Sequence, residues 1–216
     1  MKSLTCILTI LLLTFPVYSA ETDRINIGDF SSGRIEGWET KIFNGETHYR
    51  IIEIDGLRAL YAHSQASASG LVKKIRIDLE KYPFLNWSWR VERRPGTLDE
   101  LTKAGDDYGA RVYVVVHGGL FFWNTKAVNY VWANKSPKGH TWPNAYASKN
   151  AMMMALRSKE DNSSTWYFEK RNVREDFRKL FGEETRSIDA VALMTDTDDS
   201  KEQAISYYGD IFFSSR

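Results

Sequence analysis

Apolar and polar residues alternate along most of the chain, and this pattern predicts β-strands. Between residues 84 and 91, Leu85, Trp87, Trp89 and Val91 fall on one face and polar residues on the other, as in a half-buried strand. About ten such segments occur before the C-terminus. We expect strands at residues 25–30, 49–54, 57–63, 71–79, 84–91, 111–117, 128–132, 151–156, 166–168, 188–194 and 205–213.

One segment, residues 173–181, has the spacing of an amphipathic helix. Asn172 precedes it as an N-cap, and Gly182 follows it as a C-terminal stop. Parallel strands would need many more crossover helices. The pattern therefore predicts an all-β fold, an antiparallel two-sheet β-sandwich of the jelly-roll, galactose-binding-like kind with one short helix.

The N-terminus has the layout of a secretory signal peptide. Lys2 is the only charge before Glu21, an apolar run covers residues 4–17, and Ser19 and Ala20 suit cleavage. We predict a signal peptide at 1–20, cut after Ala20, with cleavage after Ser19 as the alternative. The run is shorter than the ~20 residues of a membrane span. We therefore expect one domain at 21–216, periplasmic or secreted, with no span after cleavage.

Composition removes several classes of function. The only cysteine is Cys6, inside the predicted signal peptide, so the mature chain would have no disulfide or thiolate site. Lys and Arg number 29 against 28 Asp and Glu, and this balance argues against a nucleic-acid partner. The four histidines lack zinc-ligand spacing.

A polar loop at residues 134–146 carries unusual aromatic content. Trp142, Tyr146 and His140 lie in it and Trp132 comes just before it. Exposed indole rings beside amides and carboxylates are suited to stacking on sugar rings. The alternative, of equal weight, is that these side chains fold back as a cover over the core.

Aspartates and arginines recur near predicted strand ends. Asp106 and Asp107 precede Arg111 at the start of one strand, and Asp196 and Asp198 follow another. They would form either a hydroxyl- or anion-binding site or a buried ion-pair network. Arg171 has no local explanation and would join the same group.

Calcium is a less favoured hypothesis for the aspartates. Asp196, Asp198 and Asp210 offer hard oxygen ligands, but their spacing does not match a twelve-residue EF-hand loop. We therefore expect no cofactor, with a structural calcium as the alternative.

Seven segments are distinctive together, namely residues 85–91, 106–113, 130–134, 142–146, 170–177, 194–198 and 207–211. With these segments the chain resembles an exported bacterial family, domain-of-unknown-function family 3047. The resemblance implies one folded unit and no assigned activity. A last strand ending in Gly209, Asp210 and Ile211 is also similar to that of jelly-roll carbohydrate-binding modules.

We interpret the chain as a non-catalytic binding protein for a saccharide or another cell-envelope component. One alternative is a hydrolase or lyase acting on polysaccharides, and another is a protein–protein interaction module. The predicted ligand-binding residues are Trp123, Trp132, Asn134, His140, Trp142, Asn144, Tyr146, Asp106, Asp107, Arg111, Arg171, Asp196 and Asp198.

Overall fold

Two β-sheets lie face to face in the computed structural model, which describes residues 23–96, 99–119 and 124–216. The helix α1 covers Val173–Phe181, and short 3-10 turns cover Phe30–Ser32 and Lys103–Gly105. The strands of the described residues are β1 (Arg24–Gly28), β2 (Glu39–Asn44), β3 (His48–Ile54), β4 (Leu57–Gln65), β5 (Ala68–Asp78), β6 (Phe84–Arg93), β7 (Arg111–Val116), β8 (Lys126–Trp132), β9 (Thr141–Asn144), β10 (Ser148–Arg157), β11 (Tyr167–Asn172), β12 (Ser187–Asp196) and β13 (Gln203–Ser214).

The strands divide into a six-stranded and a seven-stranded sheet. The six-stranded sheet has the order β11-β6-β13-β4-β3, and β1 also pairs with β13. The seven-stranded sheet has the order β2-β5-β12-β7-β8-β10-β9. The predicted all-β sandwich with one short helix is confirmed.

One strand pair departs from the predicted antiparallel arrangement. β8 and β10 pair in parallel, because the chain passes from β8 to the edge strand β9 and then returns as β10 between them. β9 pairs with β10 in the antiparallel sense.

The core lies between the sheets and follows the period-two pattern. Trp87 and Trp89 of β6 are almost fully buried, and their rings meet edge to face with centroids 5.4 Å apart. From the seven-stranded sheet, Tyr130 packs on Trp87 at 5.3 Å and Trp132 packs on Trp89 at 6.2 Å. Facing indole and phenol rings therefore supply much of the apolar contact between the two sheets.

Local sequence signals explain the turn and the helix. Asp55 and Gly56 have positive φ angles of 53° and 74°, as a tight hairpin turn between β3 and β4 requires. The Asn172 side chain accepts a hydrogen bond from the Glu175 N–H at 3.2 Å, and Gly182 ends α1 in the left-handed conformation. In the described residues no helix is both long and apolar enough to cross a membrane.

Two strands, β2 and β9, lie outside the predicted set. β2 is exposed along its whole length, so it has no apolar face to reveal it. β9 contains Pro143 within the segment expected to be a loop. Both are edge strands, where a missing N–H donor and a missing buried face are tolerated.

The N-cap provides a test of the helix boundary. We expect Asn172→Ala to lower the free energy of unfolding by about 1 kcal/mol, because the Glu175 N–H loses its acceptor. Urea denaturation measures the change, with Asn162→Ala at an exposed position as the control. Equal stability of the two variants would contradict the assignment.

Candidate functional site

A cleft of about 480 Å³ lies on the outer face of the seven-stranded sheet. We call it the Arg111 cleft. Its floor comes from the outward side chains of the central strands, and its rim comes from the end of β2 and the turns after β9 and β12. Six of the predicted ligand-binding residues line it: Asp106, Arg111, Asn144, Tyr146, Asp196 and Asp198.

The alternating directions of side chains along β7 and β8 determine which residues form the floor of the cleft. Val112 and Val114 of β7 point into the core, so Arg111 and Tyr113 project from the opposite face. On the neighbouring β8, Asn129 projects outward between two core residues. The sheet therefore presents charged and polar groups beside an otherwise apolar surface.

Arg111 is the central charge of the floor. Its Nε donates to Asp196 Oδ1 at 3.1 Å, and its Nη2 also pairs with the second oxygen of that carboxylate. Nη1 donates to Asp106 Oδ2 at 3.4 Å, and Nη2 donates to the Asp106 carbonyl at 3.0 Å. All three side chains are at least nine-tenths buried, so each charge needs the others.

Two aromatic rings contact the Arg111 guanidinium, and burial shifts the pKa values of groups around it. The Arg111 guanidinium carbon lies 4.5 Å from the Tyr108 ring centroid and 5.9 Å from that of Tyr113, within cation–π range. Burial raises the pKa of Asp106, while the Arg111 charge and the Asn144 hydrogen bond oppose that rise. Burial also raises the pKa of Tyr113 to about 12, so its hydroxyl is neutral at physiological pH.

Asn144 connects the floor to the rim. Its Nδ2 donates to both Asp106 oxygens, at 2.9 and 3.1 Å. Its Oδ1 accepts from the N–H groups of Tyr146 and Ala147 at 3.0 and 2.9 Å. One amide therefore fixes both a floor carboxylate and the turn that carries Tyr146.

Two exposed aromatic rings border the cleft. Phe43 of the edge strand β2 is 63% exposed, and Tyr146 in the turn after β9 is 57% exposed. The Tyr146 hydroxyl donates to Asp199 Oδ1 at 2.7 Å, which raises the pKa of Tyr146 to about 12. Lys103 Nζ lies 5.2 Å from the centre of the Tyr146 ring.

The turn after β12 adds carboxylates to the rim. Asp198 accepts from Asn44 Nδ2 at 3.1 Å. Asp107, fully buried behind the turn, accepts from the N–H groups of Asp199 and Ser200 at 3.2 and 2.6 Å. Asp107 therefore holds the turn in place and does not line the cleft.

The predicted metal ligands Asp196, Asp198 and Asp210 do not converge. Asp196 forms an ion pair with Arg111. Asp210 belongs to β13 of the other sheet, where Ser31 N and Oγ donate to it at 2.8 and 2.6 Å. Carboxylate oxygens of Asp107, Asp198 and Asp199 do lie within 4.8 Å of one another, but this is not the predicted set, and a structural calcium in this protein stays a prediction.

The aromatic loop covers apolar surface, as the alternative interpretation held. Trp142 is buried with Tyr108, Val131 and Met153 in a second, smaller apolar cluster. This cluster lies on the outer face of the seven-stranded sheet, since the neighbouring β8 residues Tyr130 and Trp132 point inward. Stacking on sugar and packing were equally weighted expectations for this loop, and Trp142, its largest ring, is used in packing.

Other predicted residues are structural or lie elsewhere. His140 stacks on the outer side of Trp142 at 5.2 Å, and Asn134 donates to the Asp107 carbonyl at 2.7 Å. Trp132 belongs to the main core. Trp123 lies outside the described residues.

Arg171 does not join the cleft. It lies on β11 of the six-stranded sheet, where it forms a two-pronged ion pair with Asp176 of α1. The Tyr130 hydroxyl donates to the same carboxylate at 2.8 Å. Asp176, in the first turn of the helix, was overlooked as its partner.

Sequence reasoning missed several cleft residues. Asn129 carried a signal, because an amide within a run of strand-forming apolar residues needs an explanation. Phe43 had none, since β2 shows no alternation of burial. Four further cleft residues lie outside the predicted ligand-binding set: Asn44, Tyr113, Met194 and Asp199.

The chain belongs to the family described as protein of unknown function (DUF3047), whose model matches residues 36–212. The matched span contains every residue that lines the Arg111 cleft. No curated protein matches the chain.

Solved structures with a similar fold include the family 30 carbohydrate-binding module of a Clostridium thermocellum cellulosomal cellulase. Its TM-score is 0.50 at 9% identity, over 89% of this chain and 98% of that one. A cleaved adhesin domain of Lys-gingipain from Porphyromonas gingivalis has a TM-score of 0.43 at 12% identity, with 88% and 98% covered. The CBM22-2 xylan-binding domain of Paenibacillus barcinonensis Xyn10C has a TM-score of 0.40 at 11% identity, with 86% and 96% covered.

At these identities the likeness concerns the fold. The predicted similarity to jelly-roll carbohydrate-binding modules is confirmed at that level. Ligand specificity has to be argued from the side chains of this chain itself.

The buried ion network gives a stability test. We expect Arg111→Met to lower the free energy of unfolding by about 3–5 kcal/mol, because it leaves two buried carboxylates without their cation. Arg76→Met is the control, since Arg76 is 77% exposed in its pair with Asp189 and should lose less than about 1 kcal/mol. Urea denaturation measures both, and similar losses in the two variants would contradict a central role for Arg111.

Proposed function

We propose that this protein is an exported, non-catalytic module that binds a saccharide in the Arg111 cleft. The observation that carries the proposal is the combination within one cleft of a fixed polar floor and two exposed aromatic rings, Phe43 and Tyr146. A sugar ring has an apolar C–H face and a hydroxyl edge, so it needs both kinds of surface.

The rim would provide the stacking surface. Phe43 and Tyr146 are among the most exposed large hydrophobic side chains of the described residues, and exposed rings of this kind often mark a binding surface. Phe43 belongs to the edge strand β2, and Tyr146 lies in the turn after the edge strand β9. An extended saccharide that crosses the sheet would contact both.

The polar groups would provide orientation. Asp198 accepts a hydrogen bond from the Asn44 amide and Asp199 accepts one from the Tyr146 hydroxyl, and a carboxylate has acceptor capacity beyond one such bond. The floor is held by the Arg111 network and Asn144. Little side-chain freedom would be lost on binding, which favours affinity.

The bonding of the two floor acids, Asp106 and Asp196, argues against their use in hydrolysis. Asp106 and Asp196 are held by Arg111, so neither is placed as a free acid or base. Export is proposed from residues 1–20, which have the composition of a signal peptide. A polysaccharide of the cell envelope is therefore the natural class of ligand.

A glycan array followed by titration calorimetry tests the proposal. We expect the wild type to bind at least one polysaccharide and the Phe43→Ala, Tyr146→Ala double variant to bind it about tenfold or more weakly, because stacking energy is lost. Phe168→Ala is the matched control, since Phe168 is 78% exposed and lies on β11 of the other sheet.

Melting temperatures of the three proteins check that the variants fold. Full binding by the double variant, or equal loss in Phe168→Ala, would show that the Arg111 cleft is not the site. Release of shorter saccharides during incubation would favour the hydrolase alternative.

A further inference from the structure

The charge of the Arg111 cleft limits which saccharides fit it. Four aspartates line the cleft, namely Asp106, Asp196, Asp198 and Asp199, against the single cation Arg111. Lys103 lies beside the Tyr146 ring but does not line the cleft. The carboxylates therefore remain in excess over the cations.

This excess is concentrated in the turn after β12. Arg111 pairs with Asp106 and Asp196. Asp198 and Asp199 form no ion pair with any described residue, and their bonded partners are an amide and a hydroxyl. Both are half-buried, and buried Asp107 lies within reach behind them.

We propose that the ligand is a polysaccharide with free amino groups, such as a de-N-acetylated glucosamine chain, whose ammonium is bound by Asp198 and Asp199. This inference rests on the proposed saccharide-binding function and specifies its ligand. An ammonium brings three N–H donors and a positive charge, and charge-assisted hydrogen bonds to carboxylates are stronger than neutral ones.

Other classes of saccharide fit this end of the cleft less well. A uronic acid would place a further carboxylate against two that are already uncompensated. A neutral sugar would displace water from them without supplying a charge. Burial raises the pKa of Asp199, and the nearby Asp198, Asp107 and Asp106 raise it further, as expected where negative charge lacks a cation.

The decisive comparison is between two chains that differ only in N-acetylation. Titration calorimetry at mildly acidic pH and low salt would compare a glucosamine hexamer with an N-acetylglucosamine hexamer. We expect the glucosamine hexamer to bind at least tenfold more tightly. Its affinity should fall as salt is added, because screening weakens the attraction between charges.

A charge-neutralising variant assigns the preference to specific residues. Asp198→Asn with Asp199→Asn should remove the preference for glucosamine, while affinity for the N-acetylated hexamer changes less than twofold. Glu36→Gln with Glu53→Gln removes the same charge from exposed positions outside the cleft and should preserve the preference. If the first variant proves unstable, Asp199→Asn alone should reduce the preference.

The outcomes separate the two proposals. Equal binding of both hexamers, or a preference that survives in the Asp198, Asp199 variant, would overturn the amino-sugar inference and leave saccharide binding intact. Binding confined to neutral or acidic glycans that requires Phe43 and Tyr146 would do the same. Absence of binding to every glycan would overturn both proposals.

Discussion

The arrangement of this molecule around its cleft depends on one buried cation, Arg111. A guanidinium removed from water costs several kcal/mol unless carboxylates surround it. Asp196 comes from the end of β12, which pairs with β7 through Met194 and Arg111, and Asp106 comes from the segment that leads into β7. The requirement for charge balance therefore fixes the 103–110 segment against the end of two central strands, and Asn144 extends the same bonding to the rim.

The network also determines which groups remain for a ligand. Because Arg111 binds two carboxylates, Asp198 and Asp199 are left with neutral partners. The Asp107 carboxylate accepts hydrogen bonds from two backbone N–H groups of the same turn, so it positions that turn. The carboxylates that stabilise the fold, Asp106 and Asp196, thus lie beside the carboxylates that could bind a ligand, Asp198 and Asp199. The outer face of a sheet, with rigid strands as a floor, suits such a division.

The spacing of apolar, turn and cap residues was enough to predict the sandwich, the β3–β4 hairpin and α1 with its caps, since each depends on residues that are close in sequence. β2 could not be found this way because all its residues are exposed, and β9 could not because Pro143 lies in a segment that was expected to be a loop. The Asp106, Arg111 and Asp196 group was expected from chemistry alone. Arg171 was misplaced because Asp176 of the adjacent helix α1 pairs with it. Trp142 takes the packed position that was the alternative interpretation, against Met153 and Val131. Sequence spacing does not show which of several nearby partners a side chain takes.

The most direct test is to map a bound saccharide on the protein by amide chemical shifts. The titrant would be a glucosamine hexamer, with backbone signals followed on both sheets. We expect the largest shifts at residues 144–147 and 196–199, and small shifts around Phe168 and Asp210 on the opposite face. Shifts confined to that opposite face would contradict the assignment of the Arg111 cleft as the binding surface.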